Sequence, residues 1–135
     1  MVAIGQIWNS RDLPPLTEEV RKQKIRDAKR VSLQEMLDAY SNNARAIKTN
    51  YIGNYYTYTG KITGLSSNGY IGFAHDEVYY DGEMLRASAS CKKGNKLLGL
   101  SDGDIVTIVG RLKSVDATTS RKHWRYMLFE DCSLP

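Results

Sequence analysis

In the segment "KSVDATTSRKHWRY" the basic side chains Lys113, Arg121, Lys122, His123 and Arg125 surround Trp124. Cations neutralise phosphates, and an indole stacks on a base or holds a guanidinium by a cation–π contact, so this pattern has the chemistry of a single-stranded nucleic-acid contact. A plainer reading is equally weighted: Trp124 opens the last strand and seals one end of the fold, while the cations keep a loop solvated. A second group lies along "YIGF" and "RASAS", where Tyr70, Arg86, Ser88 and Ser90 alternate outward and combine a ring, a cation and two hydroxyls. Arg111 and Lys113 extend the basic set along "GRLK". Against a polyanion stand Asp76, Glu77, Asp81 and Glu83, which would repel phosphate.

The remaining reactive residue types form no catalytic or metal pattern. His75 and His123 stand apart, no HExxH is present, and two cysteines cannot complete a four-ligand zinc site. There is no P-loop and no G-x-G-x-x-G, and "SDGD" lacks the twelve-residue calcium pattern with its terminal glutamate. The sequence therefore reads as a binding module and not an enzyme, with no cofactor and no metal.

The 135 residues suit one domain. Net charge is +4, but residues 1–50 hold 9 Lys/Arg against 6 Asp/Glu, whereas residues 51–135 hold 10 against 9. The basic surplus thus lies in the first part, which weakens phosphate gripping by the second part alone. Apolar runs such as "IVTIVG" are far shorter than the roughly 20 residues of a membrane-spanning helix. With no secretory leader in "MVAIGQIW", the chain reads as cytoplasmic; a trimmed mature chain, secreted or periplasmic, would look the same.

Pro14 and Pro15 precede a predicted helix over Leu16 to Arg30, acidic early and basic late as the helix dipole prefers, with a thin apolar stripe. Residues 1–31 are thus expected to form an N-terminal arm and basic helix, and residues 32–135 the main domain with its leading helix. "SLQE" predicts a capping box with Ser32 as N-cap. Leu33, Met36, Leu37, Tyr40, Ala44 and Ile47 then give a fuller stripe for docking on a core. Beyond Asn54 the period becomes two, and five strands are expected: Tyr55 to Leu65, Tyr70 to Asp76, Glu83 to Cys91, Ile105 to Lys113 and Trp124 to Cys132. "SSNG" and "YYDGE" predict tight turns, and "NKLLGL" a short helix between the third and fourth strands.

Five strands with a helix after the third is the order of the OB-fold, a partly open Greek-key barrel. The segments "LDAYSNNARAIKTNYIGNYYTYTGKITGL", "LRASASC", "LLGLSDGDIVTIVGRL" and "MLFEDC" resemble the tRNA_anti-like OB-fold family over residues 33 to 132. The resemblance implies an OB barrel with a nucleic-acid role. It places Tyr56, Tyr58 and Ile62 on the core face, with Gly60 among them and the tyrosine hydroxyls at the rim. Tyr55 and Tyr70 are left facing outward as candidate stacking residues. It also makes Cys91 and Cys132 the ends of neighbouring parallel strands, so that the pair is either a disulfide or two small buried apolar residues. Two partner classes follow: single-stranded DNA or RNA, and a protein bound by the barrel and helices acting as an adaptor or inhibitor. Oligosaccharide or small-ligand binding is a third. Oligomeric state is not legible in the sequence.

Overall fold

The computed structural model of the chain describes residues 13–65, 69–92, 99–115 and 123–135. The predicted short helix over "NKLLGL" and the tip of the "SSNG" turn lie mainly outside these residues.

The first helix, α1 (Glu18–Arg26), is shorter than the predicted Leu16 to Arg30. It starts where the Thr17 side chain accepts a hydrogen bond from the Val20 amide, and none of its residues is buried. Its predicted last turn is instead β1 (Lys29–Arg30), which pairs in parallel with Tyr56 and Thr57; strand pairing replaces helix because the weak stripe gave the helix no core to dock on. Helix α2 (Leu33–Asn42) begins as expected, with the Ser32 hydroxyl accepting from the Glu35 amide at 3.1 Å. The continuous helix expected beyond it breaks at Asn43, whose extended backbone and side-chain carbonyl cap a new turn, α3 (Ala44–Ala46), followed by a π-turn over Ile47–Tyr51. Leu33, Met36, Leu37 and Ile47 point into the core, each burial stabilising by roughly 1.5–3 kcal/mol.

The strands are β2 (Tyr55–Leu65), β3 (Tyr70–Phe73), β4 (Asp76–Tyr80), β5 (Glu83–Lys92), β6 (Ile105–Val115) and β7 (His123–Ser133). The predicted second strand, Tyr70 to Asp76, is two: the chain bends at Ala74–His75, so that β3 pairs with the end of β5 and β4 with its start. Asp81 and Gly82 form the tip of the β4–β5 hairpin, with φ of 50° and 79°. These are the positive φ values of the turn that "DG" predicts. The order β2-β3-β5-β7-β6 closes on itself because β6 also pairs with β2, giving a five-stranded OB-like barrel. β5 and β7 run parallel, as expected, and the other barrel pairs are antiparallel.

Inside the barrel, Tyr58, Ile62, Ile71, Phe73, Ile108, Leu112, Met127 and Phe129 form one core with the α2 residues. Tyr58 meets Phe73 edge-on, their centroids 5.2 Å apart. At Gly60 a Cβ would lie 2.9 Å from the Phe73 ring and 3.0 Å from that of Tyr58, so the strand passes these rings only without a side chain, as the sequence suggests.

Candidate nucleic-acid interface

The outer face of β3 and β5 is built by alternation and one bulge. Ile71 and Phe73 point inward, so Tyr70 and Gly72 point outward. On β2 the register slips at Thr63, so that Ile62 pairs with Phe73 but Gly64 pairs with Gly72. The slip carries Gly64 to the outer face, where strict alternation would have put it inside. Gly72 is also in register with Ser90, and Ser90 with Leu128 of β7, so one row crosses four strands as Gly64, Gly72, Ser90 and Leu128. Among the described residues nothing lies within 4 Å of a Cβ built on Gly64, and only the Gly64 carbonyl, at 3.9 Å, approaches one built on Gly72. Among the described residues the result is a bare stretch of backbone two strands wide. Half-buried Tyr70 borders it, directly paired with exposed Lys92. Exposed Arg86 lies further along β5, in register with Glu77 on one side and His123 on the other.

The remaining predicted contacts are distributed differently. Ser88 and Ser90, expected outward, are 8% and 1% exposed, so these hydroxyls do not offer themselves to a ligand. The Ser90 hydroxyl has no hydrogen-bond partner among the described residues. Arg111 is 8% exposed and is committed to the fold, donating through Nε to the Gly53 carbonyl at 3.0 Å and through Nη1 to the Pro14 carbonyl at 2.8 Å. A guanidinium already holding two carbonyls is a clamp for the N-terminal segment and not a phosphate contact. Lys113 is half-buried, with Nζ 3.9 Å from Glu130. Arg121 and Lys122 lie outside the described residues. Of Trp124 and Arg125 the structure gives the backbone register, opposite Ala87 and Ser88 respectively.

Tyr55, expected outward as a stacking residue, is 4% exposed. Its hydroxyl donates to Asp131, which also takes two hydrogen bonds from Arg21 of α1, at 2.6 and 3.2 Å. Burial first, and then the hydrogen bond to Asp131, push the Tyr55 phenol up to about 12, so it remains a donor at neutral pH. The same hydrogen bond holds the Arg21 guanidinium above its usual range. Residues 13–31 are thereby fastened to the barrel by a charged pair, by the Arg111 clamp and by β1. Cys91 and Cys132 form a disulfide between β5 and β7, with Cα atoms 6.4 Å apart. Among the described residues no cluster of His, Cys, Asp or Glu could hold a metal ion, and no helix is long and apolar enough to cross a membrane.

No protein-family model matches this chain, and no curated protein does. A solved structure, the "putative nucleic acid-binding lipoprotein" from Klebsiella pneumoniae subsp. pneumoniae MGH 78578, is similar over 90% of this chain and 99% of its own, with 16% identity and a TM-score of 0.46. Likeness at that level carries no functional argument, so a function rests on the residues of this chain.

Gly64 and Lys92 are the members of this face that sequence reading missed. Gly64 was hidden because a period of two assigns it inward, and only the bulge turns it out. Lys92 sits at the end of β5, one residue beyond the predicted strand.

Proposed function

We propose that this chain is a non-enzymatic binding module that takes single-stranded nucleic acid across the outer face of β2 and β3, beside the end of β5. The observation that carries the reading is the open Gly64–Gly72 pair beside Tyr70 and Lys92. A base needs a flat surface to approach, a ring to stack on and a cation for its phosphate, and these three lie within adjacent register rows. Stacking on Tyr70 contributes about 1–3 kcal/mol per base, and Lys92 and Arg86 supply the salt-dependent part. Glu77 beside Arg86 offsets some of that charge, which suits weak binding. The Cys91–Cys132 disulfide favours a compartment that keeps thiols oxidised, in place of the cytoplasmic location expected from the sequence.

The test is fluorescence anisotropy with labelled single-stranded DNA and RNA over a range of salt. Gly64→Glu is the discriminating variant: its Cβ meets nothing within 4 Å among the described residues, so the fold should survive while the face gains bulk and negative charge. Affinity should fall at least tenfold in Gly64→Glu and in a Tyr70→Ala, Lys92→Ala pair, and should weaken steeply as salt rises. Absence of binding at low salt, or binding indifferent to Gly64→Glu, rejects the reading.

A second reading has one observation behind it. Tyr79 and Met84 are direct cross-strand partners on the β4–β5 hairpin and are 58% and 42% exposed, an apolar pair that a protein partner would cover. Such a contact would respond little to salt and would be lost in Tyr79→Ser, Met84→Ser.

A further inference from the structure

Far along β2 from Gly64, a cavity of about 310 Å³ opens between α1, β1 and the start of β2. Its lining includes Lys24, Asp27, Lys29, Asn50, Asn54 and Tyr56. Its volume is at the small end of the roughly 300–1,000 Å³ usual for ligand pockets. What distinguishes it is how its charges are held. Lys24 Nζ donates to the side-chain carbonyl of Asn54 at 3.0 Å, and Asn54 Nδ2 donates to the Asn50 carbonyl at 2.8 Å. The second bond fixes which end of the Asn54 amide faces Lys24. The lysine is therefore anchored by a neutral acceptor, which orients the ammonium without cancelling its field and leaves two of its three N–H groups for another acceptor. Asp27, the acid of the wall, is turned towards Gln23, whose Nε2 lies 3.0 Å from each of its carboxylate oxygens; it keeps its charge, so the wall with Lys24 and Lys29 carries a net single positive charge. Lys29 adds a second cation from β1. Tyr56, half-buried and stacked on Tyr51 with centroids 6.0 Å apart, gives one wall an aromatic surface and a phenol hydroxyl.

We propose that this cavity binds a small hydroxylated oxyanion, a sugar phosphate or sugar carboxylate, through Lys24 and Lys29, with Asn54 positioning Lys24 and Tyr56 flanking the sugar ring. Two cations with no carboxylate partner among the described residues fit an anionic head, and the amides and phenol fit hydroxyls. The site shares no residue with the Gly64–Gly72 face, so it stands or falls independently of the nucleic-acid reading.

The experiment is a heteronuclear NMR titration of the full chain with glucose 6-phosphate, glucuronate and neutral glucose. At least one anion should give saturable shifts at the backbone amides of Lys24, Asn50, Asn54 and Tyr56, binding at least tenfold tighter than glucose; which anion does so identifies the head group. A Lys24→Gln, Lys29→Gln variant should keep the spectrum of a folded chain and lose at least tenfold in affinity. Asn54→Ala should weaken binding while both lysines remain, the mark of a positioning residue. Unsaturable shifts with both anions, equal shifts with glucose, or undiminished binding in the double lysine variant would overturn the proposal.

Discussion

Asp131 shows how much one side chain can be asked to hold. It has φ of 51°, a left-handed conformation that aspartate and asparagine adopt more readily than other residues with a side chain. In that position it receives Arg21 and Tyr55 together. Asp131→Asn tolerates the same backbone but removes the charge, so it should destabilise by about 1–2 kcal/mol in urea unfolding, the partial exposure of the pair keeping the figure low. Combined with Arg21→Gln it should cost little more than either change alone, since both delete one interaction. The sequence shows a "DC" near the end of the chain and a Tyr-rich run, but nothing local reveals that Asp131, Tyr55 and Arg21 converge across 110 positions. Tyr58 is the opposite case. Its place in the core is legible from alternation, yet its hydroxyl is buried without a partner among the described residues instead of reaching the rim. Tyr58→Phe should therefore raise stability by about 1 kcal/mol, read as a higher denaturation midpoint with unchanged slope.

At the scale of elements, the strands were legible and their interruptions were not. Period-two patterning locates β2, β5, β6 and β7, because a barrel strand must alternate between core and surface. It does not reveal the bulge at Thr63 or the bend at Ala74–His75, since both are decided by the neighbouring strand with which each segment pairs. The predicted site suffers the same way: Ser88 and Ser90 have the right parity for an outer face, but parity does not report what covers a face. Burial on β2 has a measurable consequence at high pH. The phenols of Tyr55 and Tyr58 are both raised from the ordinary value, Tyr55 to about 12 and Tyr58 further, burial being the leading cause in each. Their protonated forms are favoured by the fold, so ionisation costs nothing below pH 10, and stability falls as pH rises towards 12 and beyond. Absorbance at 295 nm should show part of the tyrosine ionisation delayed until it coincides with loss of near-ultraviolet circular dichroism. Simple titration of every tyrosine near pH 10 would contradict the burial described for Tyr55 and Tyr58.

For the whole molecule, the disulfide and the closed sheet act on the same joint. Cys91 and Cys132 are 41 positions apart, and a cross-link over that span restricts the unfolded chain by about 4 kcal/mol in the chain-entropy view. Reduction, or a Cys91→Ala, Cys132→Ala variant, should lower stability by about 2–4 kcal/mol while leaving oligonucleotide binding intact under folding conditions. The pairing was foreseeable only through the strand order, which makes β5 and β7 parallel neighbours; sequence separation alone leaves it open. That order also bears on how the chain is made. β7 is made after both β5 and β6, yet it lies between them. Until it arrives, both of those strands carry an unpaired edge, and Cys91 has no partner. Barrel closure and oxidation of the cysteine pair therefore both wait on one strand, β7, which carries Cys132 into the gap between β5 and β6.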